Sequence, residues 1–207
     1  MKRIVIVAAV LVICACTLIG ACWLRSSKPN PPSVPSAGGA SNLSVESGKY
    51  PYYLQGDPAW GQVTIGGSNE TLAAVGCTVC CIAMGLTGLG HPMTPDQVCE
   101  SLKANGGFTD NGHVIWGKVG DLTDSSVEMA TVETDLNQID RELTTGRPVM
   151  VKVMLGDRFQ HWVLVVSKDG QEYLAIESLN QSRQLVPVSS LSDTIESVRV
   201  FKPRSIG

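Results

Sequence analysis

The chain has 207 residues, of which 43% are hydrophobic, and this is enough for one domain with a core of its own. It carries 16 lysines and arginines against 19 aspartates and glutamates, for a formal net charge of -3 at pH 7. This balance argues against a partner made of nucleic acid, because proteins that bind nucleic acid rely on a basic face.

Residues 1–21 have the features of a secretory signal peptide. A basic start precedes an apolar run over residues 4–19 and a cleavage site of small residues. Ile19-Gly20-Ala21-Cys22 also resembles the bacterial lipobox, and this resemblance implies that Cys22 is acylated and becomes the first residue of the mature chain. An uncleaved signal anchor and simple secretion stay open, since the apolar run approaches the ~20 residues that span a bilayer.

Residues 22–49 are predicted to form a lipid-anchored flexible linker. From Arg25 to Lys49, the chain is dominated by serine, proline, glycine and asparagine. Such a stretch cannot bury enough apolar surface to fold alone. We therefore expect residues 50–207 to form one domain, anchored to the membrane of the bacterial cell envelope and facing the periplasm or the exterior.

Apolar spacing predicts the first helix of this domain over residues 77–86. Cys77, Cys80, Cys81 and Met84 fall on one stripe of that helix. We expect Cys80 and Cys81 to be core residues, with a disulfide from one of them to Cys99 left open, because the compartment is oxidising.

Two further helices are predicted from their start signals. Thr94 is the expected N-cap of the second helix, with Gln97 closing a capping box and Gly106-Gly107 ending the helix. The third helix is predicted to begin at Asp135, with Thr134 as its cap.

The second half of the domain changes to the two-residue period of strands. Residues 148–154 alternate in the manner of a strand with one face inward. Residues 162–166 and 173–176 flank a turn at 168–171 and predict a hairpin, and residues 194–201 predict another strand. Helices followed by an antiparallel sheet indicate the α+β class.

Cys77 is the candidate nucleophile because it follows Gly76 at the start of a predicted helix. The first turn of a helix leaves N–H groups unpaired and carries partial positive charge, which favours the thiolate. Among the three histidines, His161 is the expected partner, because it begins a strand that can hold the imidazole rigidly. His91 and His113 lie in loops and are expected to be structural or exposed.

Four motifs together resemble the C39-like peptidase family. They are Tyr53–Trp60, Gly76–Val79, Met93–Val98 and His161–Val165. The resemblance covers nearly all of residues 50–179 and implies a papain-like fold, in which N-terminal helices carry the cysteine and pack on a C-terminal antiparallel sheet that carries the histidine. It assigns the motif cysteine to Cys77 and the motif histidine to His161.

The resemblance also makes Gln55 a candidate donor for an oxyanion hole, since an amide N–H can stabilise charge on a substrate carbonyl. The sequence departs from the family where an Asp-Pro pair usually follows the histidine, because Glu177-Ser178 stands there. We expect Glu177 to orient His161 across the hairpin, and Asn180 is the alternative.

These residues predict a cysteine peptidase or amidohydrolase that cleaves peptide or amide bonds of a peptide or protein substrate. A catalytically inactive module that binds peptides is the alternative, because Glu177-Ser178 replaces the usual pair. A thiol redox protein is a third possibility, since Cys77 and Cys80 have C-x-x-C spacing. No metal or organic cofactor is implied.

Overall fold

The computed structural model describes residues 30–36, 38–46, 48–156 and 158–204. The predicted signal peptide and the predicted acylation of Cys22 lie outside these residues and stay predictions. Within the ranges given, no helix is both long enough and apolar enough to cross a membrane.

Antiparallel pairing joins the strands of the described chain into one seven-stranded sheet. Its order is β2-β7-β3-β4-β5-β6, and β1 pairs with β4 beside this path. The strands are β1 (Leu43–Ser44), β2 (Val127–Val132), β3 (Val149–Leu155), β4 (Phe159–Asp169), β5 (Glu172–Ile176), β6 (Val186–Pro187) and β7 (Ser197–Pro203).

Helices cover part of this sheet, and together the two confirm the α+β class. The α-helices are α1 (Leu72–Val75), α2 (Cys77–Gly88), α3 (Pro95–Ala104) and α4 (Leu136–Thr144), and 3₁₀ helices span Trp116–Thr123 and Val188–Ser190.

Helix α2 packs against β4 in the centre of the domain. The sequence predicted a single apolar stripe, but nearly all residues of α2 are buried, on every side of the helix. Its close packing depends on Gly85, since a Cβ there would lie 2.0 Å from the ring of Phe201 on β7. A helix that is apolar all round belongs in the interior rather than at the surface.

The predicted helix starts are confirmed at α3 and corrected at α4. The Gln97 side chain accepts a hydrogen bond from the Thr94 N–H at 3.0 Å, as the capping box requires. At α4, the cap is Asp135, whose carboxylate accepts from the Asn137 N–H at 3.0 Å, and not Thr134. Both residue types can cap a helix, and the backbone conformation at 135 decides between them.

The predicted strands are present, and the sequence missed others. The hairpin of β4 and β5 forms as expected, although β4 begins earlier, at Phe159. Strand β7 begins at Ser197, three positions later than predicted. Strands β1, β2 and β6 were not predicted.

Residues 33–36 and 38–46 pack on the domain, although the sequence predicted a flexible linker there. Ser33 forms a β-bridge with Thr194, and β1 pairs with β4. Val34 and Val45 are each only 5% exposed. The segment has too few apolar residues to fold alone, but it pairs its backbone with strands that already exist.

A buried ion pair holds this segment near Gly38. The Lys168 ammonium donates to both oxygens of Asp140, at 3.1 and 2.9 Å, and to the Gly38 carbonyl at 3.1 Å. Asp140 also accepts from the Ala40 N–H at 3.1 Å and from the Tyr173 hydroxyl at 2.7 Å. The polar groups of the pair are thus satisfied by residues from four parts of the chain.

Candidate active site

Cys77 is the first residue of α2 and follows a tight junction with α1. A Cβ at Gly76 would lie 2.4 Å from the Leu72 carbonyl oxygen, so only glycine fits between the two helices. Cys77 is buried, with 8% of the residue exposed, and it lies at the positive end of the helix.

His161 and Glu177 meet across the hairpin of β4 and β5. The imidazole Nε2 lies 2.8 Å from each carboxylate oxygen of Glu177, and both residues are 4% exposed. The Leu179 N–H donates to Glu177 Oε1 at 2.7 Å and holds the carboxylate in place. Because Nε2 is taken by Glu177, Nδ1 is the ring nitrogen that remains for a thiol.

The pKa values of Cys77 and His161 are shifted in opposite directions. Burial acts to raise the pKa of the Cys77 thiol, but the hydrogen bond and charge of His161 outweigh it, and the pKa lies below its ordinary value. A hydrogen bond from the Trp162 backbone adds to this lowering. Burial acts to lower the pKa of His161, but Cys77 and Glu177 raise it to about 9. Both shifts act in the direction of a thiolate–imidazolium pair.

Gln55 lies beside this group and is 3% exposed. Its Nε2 donates to the Ala73 carbonyl at 3.0 Å, just before the junction that carries Cys77. Its Oε1 accepts from the Ser178 hydroxyl at 3.1 Å, and its backbone N–H donates to the Ser178 carbonyl at 3.0 Å. The amide nitrogen has two hydrogens, so one remains beyond the bond to Ala73.

Two other polar candidates, Asn180 and His91, make their contacts elsewhere, and His113 is exposed. The Asn180 amide donates to the Gln184 carbonyl at 2.9 Å and so serves its own loop. His91 Nε2 lies 3.2 Å from the Ser126 hydroxyl, away from Cys77. Glu177, and not Asn180, is therefore the residue that contacts His161.

Four cysteines of the described chain, Cys77, Cys80, Cys81 and Cys99, are buried free thiols. Burial raises the pKa of Cys80, with smaller contributions from Cys77, Cys99 and Glu177, so Cys80 stays protonated at neutral pH. The Cys81 thiol donates to the Trp162 carbonyl at 3.3 Å. No cluster that could hold a metal ion occurs among the residues described.

A groove of about 460 Å³ borders the site. Its lining includes Val75 and Thr78, on either side of Cys77, and Gln160 and Trp162, on either side of His161. Sequence reasoning did not find this groove, because its walls come from distant segments. The tryptophan after His161 was part of the motif, but nothing in the sequence showed what it contacts.

No protein-family model and no curated protein sequence matches this chain. Among solved structures, it is similar to the peptidase domain of Streptococcus ComA, a bifunctional ABC transporter involved in a quorum sensing pathway. The identity is 14% and the TM-score is 0.45, over 62% of this chain and 91% of that one. This likeness is too distant to support a family or a function.

Proposed function

We propose that this protein is a cysteine peptidase or amidohydrolase of the bacterial cell envelope, with a papain-like fold of the C39-like kind. The observation that carries the proposal is the buried group of Cys77, His161 and Glu177, in which Nε2 of His161 lies 2.8 Å from both carboxylate oxygens. The lowered pKa of the thiol and the raised pKa of the imidazole are what a nucleophile and its acid–base partner need.

The reaction follows from these positions. The Cys77 thiolate attacks the carbonyl carbon of a peptide or amide bond, and the negative charge moves to the carbonyl oxygen. The imidazolium of His161 then gives its proton to the leaving amine, so that a thioester remains on Cys77. Neutral His161 next takes a proton from water, whose attack on the thioester releases the acid and restores the ion pair.

Two further residues, Glu177 and Gln55, support this chemistry. Glu177 orients the imidazole and stabilises its positive charge. Gln55 presents its remaining amide N–H to the developing oxyanion, with the side chain held from both ends by Ala73 and Ser178.

Three exposed apolar residues lie close in sequence to the central residues of the site, which suits a peptide substrate. Val75, Phe159 and Leu179 are exposed to 47%, 70% and 47%, and each stands two positions from one of the three central residues. Exposed apolar side chains grouped around a reactive residue are typical of a binding surface. The proposed location, in an envelope membrane with Cys22 as lipid anchor, is supported by the leader sequence alone.

The contact between Glu177 and His161 favours a hydrolase over an inactive binding module, because such a module has no use for an oriented imidazole.

The pH dependence of Cys77 alkylation tests the proposal. The full chain in detergent is treated with iodoacetamide over a range of pH, and labelling of Cys77 is read by peptide mass spectrometry. We expect a midpoint well below the ordinary thiol value of about 8.5. In His161→Ala the midpoint should rise above that value, because burial then acts without the imidazolium.

His91→Ala is the matched control and should leave the midpoint unchanged, since His91 contacts Ser126. An ordinary midpoint in the unmodified protein, unaffected by His161→Ala, would refute the hydrolase mechanism and leave the binding module as the better account.

A further inference from the structure

Two cations stand side by side on the sheet where it forms the groove. Lys152 on β3 pairs directly with Trp162 on β4 and with Ser197 on β7. Arg199 lies two residues after Ser197, so the alternation of strands places it on the same face. All four residues line the groove beside Cys77.

The guanidinium of Arg199 is held against two tryptophans. It lies 4.8 Å from the ring centre of Trp116 and 5.3 Å from that of Trp162, and the two rings are 5.1 Å apart. Its Nη1 donates to the Ser197 hydroxyl at 2.7 Å and to the Val198 carbonyl at 2.8 Å. The aromatic contacts and these bonds fix the plane of the guanidinium.

Neither cation has a carboxylate partner among the residues described. All ion pairs found in that part of the chain involve other residues. Arg199 Nε is buried and has no acceptor there. Burial lowers the pKa of Arg199. The groove also contains Glu70, which is exposed, so its cations outnumber its carboxylates.

We propose that Lys152 and Arg199 form a subsite that binds a carboxylate of the substrate peptide, close to the bond that Cys77 attacks. This inference rests on the proposed hydrolase function and adds its substrate class. A planar guanidinium with open donors matches a carboxylate, and the ammonium of Lys152 adds a second charge. The carboxylate belongs either to an acidic side chain or to the C-terminus of the peptide.

Reactive peptides measure this preference at Cys77 without knowledge of the natural substrate. The probes are N-iodoacetyl peptides with a short glycine spacer. One set ends in glutamic acid amide, a second in glutamine amide, and a third in glutamine with a free C-terminus. Attack by the Cys77 thiolate displaces iodide and leaves a thioether, which is counted by mass spectrometry.

For the unmodified protein, we expect at least one spacer length at which a probe with a carboxylate reacts about tenfold faster than the neutral probe. Preference for the first set identifies an acidic side chain, and preference for the third identifies a C-terminus. Lys152→Met and Arg199→Met should each reduce the ratio to about threefold or less. Either variant suffices if the other fails to fold.

Lys202→Met is the matched control, because Lys202 is an exposed lysine on the same strand as Arg199 but on the alternate face. It should leave the ratio unchanged. A ratio near one at every spacer length overturns the subsite, and so does a ratio that persists in both variants, since His161 then accounts for it.

The rate of labelling with iodoacetamide distinguishes a failure of the proposed subsite from a failure of the proposed hydrolase mechanism. Slow labelling at about pH 6 refutes the activated thiolate. The ratio of the probes, measured again at about pH 9, where a thiol of ordinary pKa is largely ionised, still tests the subsite on its own.

Discussion

Glu177 replaces the aspartate that the family resemblance leads one to expect, and the extra methylene is accommodated. Both carboxylate oxygens reach Nε2 of His161, and the Leu179 N–H holds one of them. A longer side chain can therefore serve the same imidazole when a backbone donor fixes its end.

Glu177→Gln tests this role through the pKa of His161. The carboxylate contributes to raising that pKa to about 9, so its removal should lower the pH at which the imidazolium loses its proton. NMR titration of the His161 ring should show a lower midpoint than in the unmodified protein. The exposed substitution Glu128→Gln should leave the midpoint in place, and an equal midpoint in all three proteins contradicts the role.

Ser178 stands where the family resemblance leads one to expect a proline, and its hydroxyl makes a contact of its own. Its hydroxyl donates to Gln55 Oε1, which a proline could not do. The serine thus ties the strand after His161 to the loop that carries the candidate oxyanion donor.

Ser178→Ala should cost about 1–3 kcal/mol of unfolding free energy, because it leaves Gln55 Oε1 buried without a donor. Urea unfolding measures the change. Ser190→Ala removes an exposed hydroxyl and should stay within about 0.5 kcal/mol. If the two variants lose equal stability, the bond from Ser178 to Gln55 contributes nothing measurable.

At the scale of elements, the position of α2 determines where Cys77 lies. The helix is buried on all sides and its residue Gly85 touches the ring of Phe201. Since the thiol is on the first residue of this helix, any displacement of α2 moves the nucleophile relative to His161 on β4.

Gly85→Ala should destabilise the fold by about 1–3 kcal/mol, because the new methyl overlaps the Phe201 ring. The overlap outweighs the gain of about 1 kcal/mol that alanine brings to a helix. Thermal or urea unfolding measures the loss, and Phe201→Leu in the same chain should restore part of it. Gly117→Ala, with open space at its Cβ, is the control. Equal stability of both alanine variants would rule out the close packing.

At the scale of the whole molecule, residues 33–36 and 38–46 belong to the domain. Backbone pairing of β1 with β4 and the buried pair of Lys168 and Asp140 attach it to the sheet. A fragment that begins at residue 50 would lack β1 and the hydrogen bonds that Gly38 and Ala40 make to the buried pair.

Lys168→Met should lower the free energy of unfolding by about 3–5 kcal/mol, because Asp140 then remains buried without its counter-charge. Lys168→Met combined with Asp140→Asn should lose less than the sum of the single losses, since the two groups act as a pair. Urea unfolding of the three variants measures the coupling. Lys103→Met, which removes a surface pair with Glu100, should change stability by less than about 1 kcal/mol. If the two single losses of unfolding free energy add up to the loss in the double variant, Lys168 and Asp140 do not act as a pair.

The sequence by itself determined the features that depend on near neighbours. The start of α3 at Thr94 and the hairpin that brings Glu177 to His161 follow from capping and turn signals over a few residues. The choice of Cys77 rests on the same kind of local signal, its position at a helix start. Its role as nucleophile stays a prediction for the alkylation experiment.

Only the tertiary structure decided the contacts between residues far apart in the chain. The attachment of residues 33–36 and 38–46, the contact of Ser178 with Gln55 and the packing of Arg199 against Trp116 and Trp162 have no local pattern. The edge of a strand or the face of an aromatic ring can contact many different residues, and the packing of the whole fold decides which residue lies there.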